Sequence, residues 1–395
     1  MKNEKILLRG GRVVLGDRIR EGLDVALADG KIVSIAPTGS LPCETDYAVV
    51  DAAGQYVSPG FIDLHSHGGG GHDFMDGTTE AFLGAAEMHA RHGTTAMCPT
   101  TLSGDPEETK TVCQVYRAAK AAGPACAFLG LHLEGPYFAV SQKGAQDERY
   151  IRNPSRTDYE SLLDACPDIV RWSAAPELEG AMEFGRVLRQ RGVTPSIGHT
   201  DADFDTAAQA LENGYTTVTH LYSCMPGVHR KNAYRIAGTI EAALYFDAFT
   251  VEVIADGCHL PAALLKFIYK CKGADRICVV TDSMRGAGMP EGPTILGSLK
   301  RGTDAIIEDG VAKMPDRLAF AGSVATMDRL VRNMVQLADV PLYEAVIMAS
   351  ATPARVLGCT DRGRLVEGNI ADVVLLDETL HVTRTISAGK TVFMK

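Results

Sequence analysis

His65 and His67 stand two residues apart at the end of the apolar run 56–65. In an extended chain side chains two apart project to the same side, so one strand can offer both imidazoles to a single metal ion. Glycines at 68–71 follow and let the backbone turn tightly, as a plain flexible loop would also do. Glu134 closes a second run, Leu131-His132-Leu133-Glu134. An unpaired carboxylate is expensive to bury there, and a metal or a nearby Arg or Lys would satisfy it. His132 shares its side by alternation and fits a ligand as well as a hydrogen-bonded core histidine. His199 and His220 close two more runs, Ser196-Ile197-Gly198-His199 and Thr217-Val218-Thr219-His220. Singly each reads as a core histidine; with Glu134, His65 and His67 they make five N/O donors, a set suited to Zn²⁺ or a similar divalent metal. Asp282, after Val279-Val280-Thr281, is placed to take a proton from metal-bound water and pass it to a leaving amine. His259, in Ala255-Asp256-Gly257-Cys258-His259, can hydrogen-bond a substrate group or a developing oxyanion, or cap the helix that follows.

These residues need a scaffold that brings strand ends together. Eight apolar runs are legible, at 56–65, 94–100, 127–134, 169–174, 194–199, 216–220, 251–256 and 277–282. Helix signals separate most of them. Asp105-Pro106-Glu107-Glu108 supplies an N-cap, a proline at the first helical position and a capping-box acid; Pro261 opens another helix that Lys272-Gly273 closes. Alternating strands and helices predict an α/β fold, a (β/α)₈ TIM barrel whose active site lies at the C-terminal ends of its strands. The first fifty residues and the last thirty-five read instead as short strands, with turns at Asp29-Gly30 and Ala388-Gly389-Lys390. Neither end can bury an apolar face alone. Residues 1–55 and 358–395 are therefore expected to form one small β-sandwich domain, and 56–357 the barrel. The glycine- and proline-containing stretch 283–321, with a hairpin signal at 306–311, breaks the alternation and reads as an insertion or lid near the barrel mouth.

Lys and Arg number 39 against 49 Asp and Glu, so the formal charge of −10 argues against a nucleic-acid partner. Ten cysteines scatter from Cys43 to Cys359 without a C-x-x-C pair, as reduced thiols in a cytoplasmic protein would. No window approaches the roughly 18 uninterrupted apolar residues of a membrane span, and the N-terminal stretch lacks the apolar core of a signal peptide.

In order and combination these motifs resemble the N-acetylglucosamine-6-phosphate deacetylases of the amidohydrolase superfamily. The likeness rests on residues 59–63 with the H-x-H, 132–136, Gly198-His199, Thr219-His220-Leu221-Tyr222, 255–259, Thr281-Asp282, Ala321-Gly322-Ser323 and ATPARVLG at 351–358. The resemblance implies a metal on Glu134, His199 and His220, a second on His65 and His67, Asp282 as general base and acid, and His259 on the substrate. It implies a barrel with a terminal β-sandwich, a homodimer whose phosphate-binding arginine comes from the neighbouring subunit, and a phosphorylated amino-sugar substrate. The chain departs from the family pattern at Ser223-Cys224, where Asn-Ala is usual, and at Gln146, where the family has a substrate-contacting histidine. It departs also around His229-Arg230-Lys231-Asn232, where Arg230, Lys231 or Arg235 could bind phosphate. Gln146, Ser223, Cys224, His229 and Arg230 are thus the expected substrate contacts.

Other readings are weaker on the residues. A cyclic-amide hydrolase of the dihydroorotase type needs a lysine where 172–177 has none, and a nucleobase deaminase accounts less well for Glu134 and the terminal domain. A different N-acetyl amino sugar, phosphorylated or not, is the near alternative. A non-catalytic binding relative would be expected to have lost ligands.

Overall fold

The computed structural model describes residues 5–41 and 46–395, so Cys43 lies outside the described residues. Strands Ile6–Val14, Ile19–Ala28, Lys31–Pro37, Ala48–Asp51 and Tyr56–Pro59 join Val373–Leu376, Val382–Ser387 and Lys390–Met394 in one eight-stranded sheet. The two ends of the chain are zipped where Val373–Leu376 runs antiparallel to Tyr56–Pro59. Leu27 and Ile386, from strands four places apart in the sheet order, share one apolar cluster with Val57 and Leu375, and Lys31 bridges to Ile370. The expected sandwich is therefore a single sheet curled on itself.

The barrel strands are β1 (Phe61–Ser66), β2 (Thr94–Thr101), β3 (Leu131–Glu134), β4 (Ile169–Ala174), β5 (Thr194–Ile197), β6 (Thr217–Val218), β7 (Thr250–Val253) and β8 (Ile277–Val279). They pair in parallel in that order. The ring closes where Asp282 N–H donates to the His65 carbonyl at 2.8 Å and His67 N–H to that of Ser283 at 2.8 Å. The run 56–65 is thus two strands, not one. Gly60 lets the chain cross from the terminal sheet to the barrel, because a Cβ there would stand 2.2 Å from Thr95 Oγ1; apolar content alone does not reveal such a crossing.

A helix follows each strand, from α1 (Thr79–Ala90) after β1 and α2 (Pro106–Ala121) after β2 to α7 (Ala262–Lys272) after β7 and α8 (Met327–Ala338) after β8. Asp105 caps α2 by accepting from Glu107 N–H at 2.9 Å, but Glu108 turns to Arg301 at 3.6 Å instead of completing a capping box. Alternation divides β4: Trp172 and Ala174 join the core beneath the helices, while Arg171 and Ser173 meet Glu252 and His132. Trp172 also donates from Nε1 to the Gly135 carbonyl at 2.8 Å, and its ring stacks on Tyr137 and meets Phe184 edge-on. This aromatic cluster sits directly behind the turn that carries Glu134. The insertion forms a three-stranded antiparallel sheet, Gly292–Leu296, Thr303–Glu308 and Val311–Lys313, with the hairpin where its sequence signal lay. No helix among the described residues is long and apolar enough to cross a membrane.

Phe184 is fully buried against Tyr137, Tyr159 and Trp172, with ring centroids 5.0 to 5.2 Å apart. Phe184→Ala is expected to cost about 3–5 kcal/mol of stability, read as a lowered midpoint in denaturant unfolding.

Candidate metal centre and active site

His199, His220 and Asp282 stand just past the strand ends, whereas His65 lies within β1 and Glu134 ends β3. β5, β6 and β8 stop at Ile197, Val218 and Val279, short of His199, His220 and Asp282. Those three residues adopt left-handed backbone, with φ of 49°, 29° and 47°. That conformation costs a residue with a Cβ about 1–3 kcal/mol, and it releases each side chain from strand alternation. Gly322 accommodates the bend at Asp282: its own φ is 66°, and a Cβ there would lie 2.8 Å from the Asp282 carbonyl oxygen.

Four imidazoles converge on Glu134. His199 Nε2 and His220 Nε2 lie 3.1 and 3.0 Å from its Oε1, and His67 Nε2 lies 3.2 Å from Oε2. His65 Nε2 stands 3.7 Å from Oε1. Two trios share the carboxylate, His65 with His67 and His199 with His220, and all are buried. Asp282 Oδ1 faces the first trio, 3.4 Å from His65 Nε2 and 3.2 Å from His67 Nε2. The ring orientations suit metal binding. His65 Nδ1 faces a Glu252 oxygen at 3.1 Å and His199 Nδ1 faces the Gln142 carbonyl at 2.8 Å, so in the neutral form each ring carries its proton on Nδ1 and turns the Nε2 lone pair inward. Inward lone pairs 3.2 to 3.3 Å apart, as between His199 and His220 or His65 and His67, cannot satisfy one another. A shared cation satisfies both, and the N/O donor set fits a divalent metal.

The charges around the centre reinforce this. Burial would raise Glu134, yet the imidazoles, His65 above all, hold it well below the usual carboxylate range. Burial would likewise raise Asp282, but His65 and His67 keep it low. Burial would lower His67, but the carboxylates of Asp282 and Glu134 outweigh it and push its pKa up to about 9. His199 is raised well above the usual imidazole value, with Cys224 and Glu134 overcoming burial. His220 is lowered, mainly by burial. His132 is no ligand: it is buried, lies 2.7 Å from Ser173 Oγ through Nε2, and is held well below the usual value by burial and by Arg171.

A cavity of about 340 Å³ opens over the centre. His259 lines it, anchored by Nδ1 to Asp256 Oδ2 at 2.8 Å and packed against Phe320. Ser223 and Cys224 line it as expected, with Tyr222, Leu296 and Leu318 from the loops around the mouth. Gln146 also lines it, but its amide is already engaged: Nε2 donates to Glu134 Oε2 at 2.7 Å and Oε1 accepts from Ser103 N–H at 2.8 Å. His229 and Arg230 do not reach this cavity. They lie on an exposed hairpin, His229–Lys231 with Tyr234–Ile236, whose charged side chains stay in solvent.

Residues 56–392 match the amidohydrolase family. The chain belongs to that family. It is 33% identical over 395 residues to the N-acetylglucosamine-6-phosphate deacetylase of Lysinibacillus sphaericus, covering 98% of this chain and 97% of that protein. It is also 33% identical over 388 residues to the N-acetylgalactosamine-6-phosphate deacetylase of Escherichia coli O157:H7, covering 97% and 98%. A variant of the Mycobacterium smegmatis N-acetyl-D-glucosamine-6-phosphate deacetylase, solved in complex with N-acetyl-D-glucosamine-6-phosphate, superposes with a TM-score of 0.91 at 30% identity, covering 99% of this chain and all of that one. This amidohydrolase is thus a metal-dependent hydrolase that resembles amino-sugar-phosphate deacetylases along its length.

Two groups beside the centre escaped the sequence reading. Arg171 and Glu252 form a fully buried ion pair, and the Gln142 carbonyl orients His199. Glu252 did carry a signal, an acid inside the apolar run 251–256, the same feature that singled out Glu134. Gln142 carried none, because a carbonyl has no residue-type signature.

Since a metal takes only neutral imidazole and His67 holds its proton up to about pH 9, metal binding near pH 7 must expel protons. Calorimetric titration of the metal-free protein in buffers of different ionisation enthalpy should show proton release at pH 7, and affinity that climbs as pH rises towards 9.

Proposed function

We propose that this amidohydrolase removes the acetyl group of N-acetylglucosamine-6-phosphate, giving glucosamine-6-phosphate and acetate. The observation that carries the reading is Asp282, a carboxylate held against the His65/His67 pair on the cavity floor and opposite Glu134. Glu134, His199 and His220 would hold one divalent metal, zinc by the donor set, and His65 and His67 with Glu134 would hold another. When bound, the metal polarises the acetyl carbonyl and makes water acidic enough to attack near neutral pH. Asp282, low in pKa and therefore ionised, accepts the proton of the attacking water and later delivers it to the departing amine. His259, fixed by Asp256, hydrogen-bonds the oxygen on which charge develops. Leu296, Leu318 and Phe320 add apolar side chains to the cavity lining.

No Lys or Arg lines the cavity among the described residues, so the phosphate needs a cation from elsewhere. We read the protein as a homodimer in which the exposed hairpin bearing Arg230, Lys231 and Arg235 supplies it from a second copy. The compartment is the cytoplasm, in keeping with nine described cysteines that are all free.

The near relationship to an N-acetylgalactosamine-6-phosphate deacetylase supports a second reading, the 4-epimer as substrate. Acetate release from the two phosphorylated epimers and both unphosphorylated sugars separates them: a higher kcat/KM for N-acetylglucosamine-6-phosphate supports the first, and a higher value for its epimer replaces it with the second. Asp282→Asn should keep its metal while kcat falls by about 10²–10⁴-fold; near-normal turnover would remove Asp282 from the mechanism.

A further inference from the structure

Arg171 on β4 and Glu252 on β7 are buried at 0% and 2% exposure, form an ion pair across the barrel interior, and do not line the cavity. Arg171 is held in turn by Ser196, whose Oγ accepts from Nη2 at 2.8 Å. The other Glu252 oxygen meets His65 Nδ1 at 3.1 Å and accepts from His220 N–H at 3.1 Å. A carboxylate can only accept, so this contact obliges His65 to carry its proton on Nδ1 and to present Nε2 to the centre. It also strengthens Nε2 as a donor, as carboxylate partners of metal-binding histidines do. Stability alone gives no reason for the pair, since a buried ion pair does about as well as apolar residues of the same volume. Glu252 alone would be an uncompensated charge, and Arg171 makes its burial tolerable.

The two trios differ in how they depend on this pair. His199 is oriented by a backbone carbonyl, Gln142 O, a neutral acceptor that no side-chain substitution removes. His65 is oriented by the Glu252 carboxylate. We infer that Arg171 and Glu252 are positioning residues for the His65/His67/Glu134 trio, giving that trio the strength to retain its own metal ion. This rests on the two-ion reading given above.

The test is ion-by-ion binding, with zinc titrated into metal-free protein against a competing chelator and metal content counted by mass spectrometry. The double variant Arg171→Met with Glu252→Leu removes both charges and orphans neither. It should hold the ion of the His65/His67 trio about 10–100-fold more weakly and weaken the other ion less, since that trio meets Glu252 only through His220 N–H, with thermal unfolding of the metal-free protein little changed. Arg171→Lys, which leaves Glu252 a cation, should retain both ions and serves should the double variant not fold. Two ions held by the double variant as tightly as by wild type would overturn the inference. So would equal weakening of both ions, the mark of a purely structural role, or loss of the second ion in a folded Arg171→Lys protein. Wild-type protein that binds no zinc would overturn the metal reading itself, which sets that failure apart.

Discussion

A carboxylate buried near the axis of a barrel cannot remain alone, and the arrangement around Glu134 follows from that constraint. Desolvating the charge costs several kcal/mol, and the Nε2 atoms turned towards it offset this only with positive charge between them, protons in the metal-free centre or a bound metal. The imidazoles divide into two pairs, each forming a trio with the shared carboxylate. Gln146 fixes the carboxylate from the cavity side through Oε2. The donors could not converge so closely from ideal strands, whose side chains alternate. The left-handed residues His199, His220 and Asp282 are the local cost of bringing them together.

That cost is met by the scaffold. The Trp172–Tyr137–Phe184 cluster and the Trp172 hydrogen bond to the Gly135 carbonyl hold the turn behind Glu134. On the opposite side, a buried chain stitches β1 to the segment after β8. Thr281 Oγ1 donates to Asp63 Oδ2 at 2.5 Å, and Ser283 Oγ lies 3.1 Å from both Ser66 Oγ and His89 Nε2. Burial raises Asp63 to about 6 and lowers His89 to about 4, so both are less charged than usual where they are hardest to hydrate. Through this chain the H-x-H and Asp282, far apart in sequence, become neighbours. The terminal sheet completes the frame, since Tyr56–Pro59 leads through Gly60 directly into β1.

The substrate side is built differently from the metal side. Metal-facing groups are buried and bonded to one another, whereas the cavity mouth is made from loops: Tyr222 to Cys224 after β6, and Leu318 to Phe320 at the end of the insertion. A rigid chemical centre beneath variable loops is how the (β/α)₈ fold accommodates different substrates on one mechanism. Relatives at equal identity that act on epimeric sugars are in keeping with that division.

Residue type and spacing determined much on their own. The eight apolar runs, the polar residues at their ends, and the two chain ends that could not fold separately led to the barrel and its terminal sheet, because burial period and charge desolvation are local properties. Asp282 and the histidines stand out by their places at the ends of such runs and by their combination, and Glu134 because a charge in an apolar run demands a partner. Glu252 met that criterion equally, yet the sequence does not say that its partner is Arg171, since an ion pair across a barrel depends on which strands face each other. Only the tertiary structure decided that the run 56–65 divides at Gly60, that Gln146 is engaged by Glu134, that His132 is satisfied by Ser173, and that His229 and Arg230 point away from this cavity. Each of these turns on the distance between residues remote in the chain. Such distances are set by packing the whole barrel, whereas the need for a partner is already present in each residue's own chemistry.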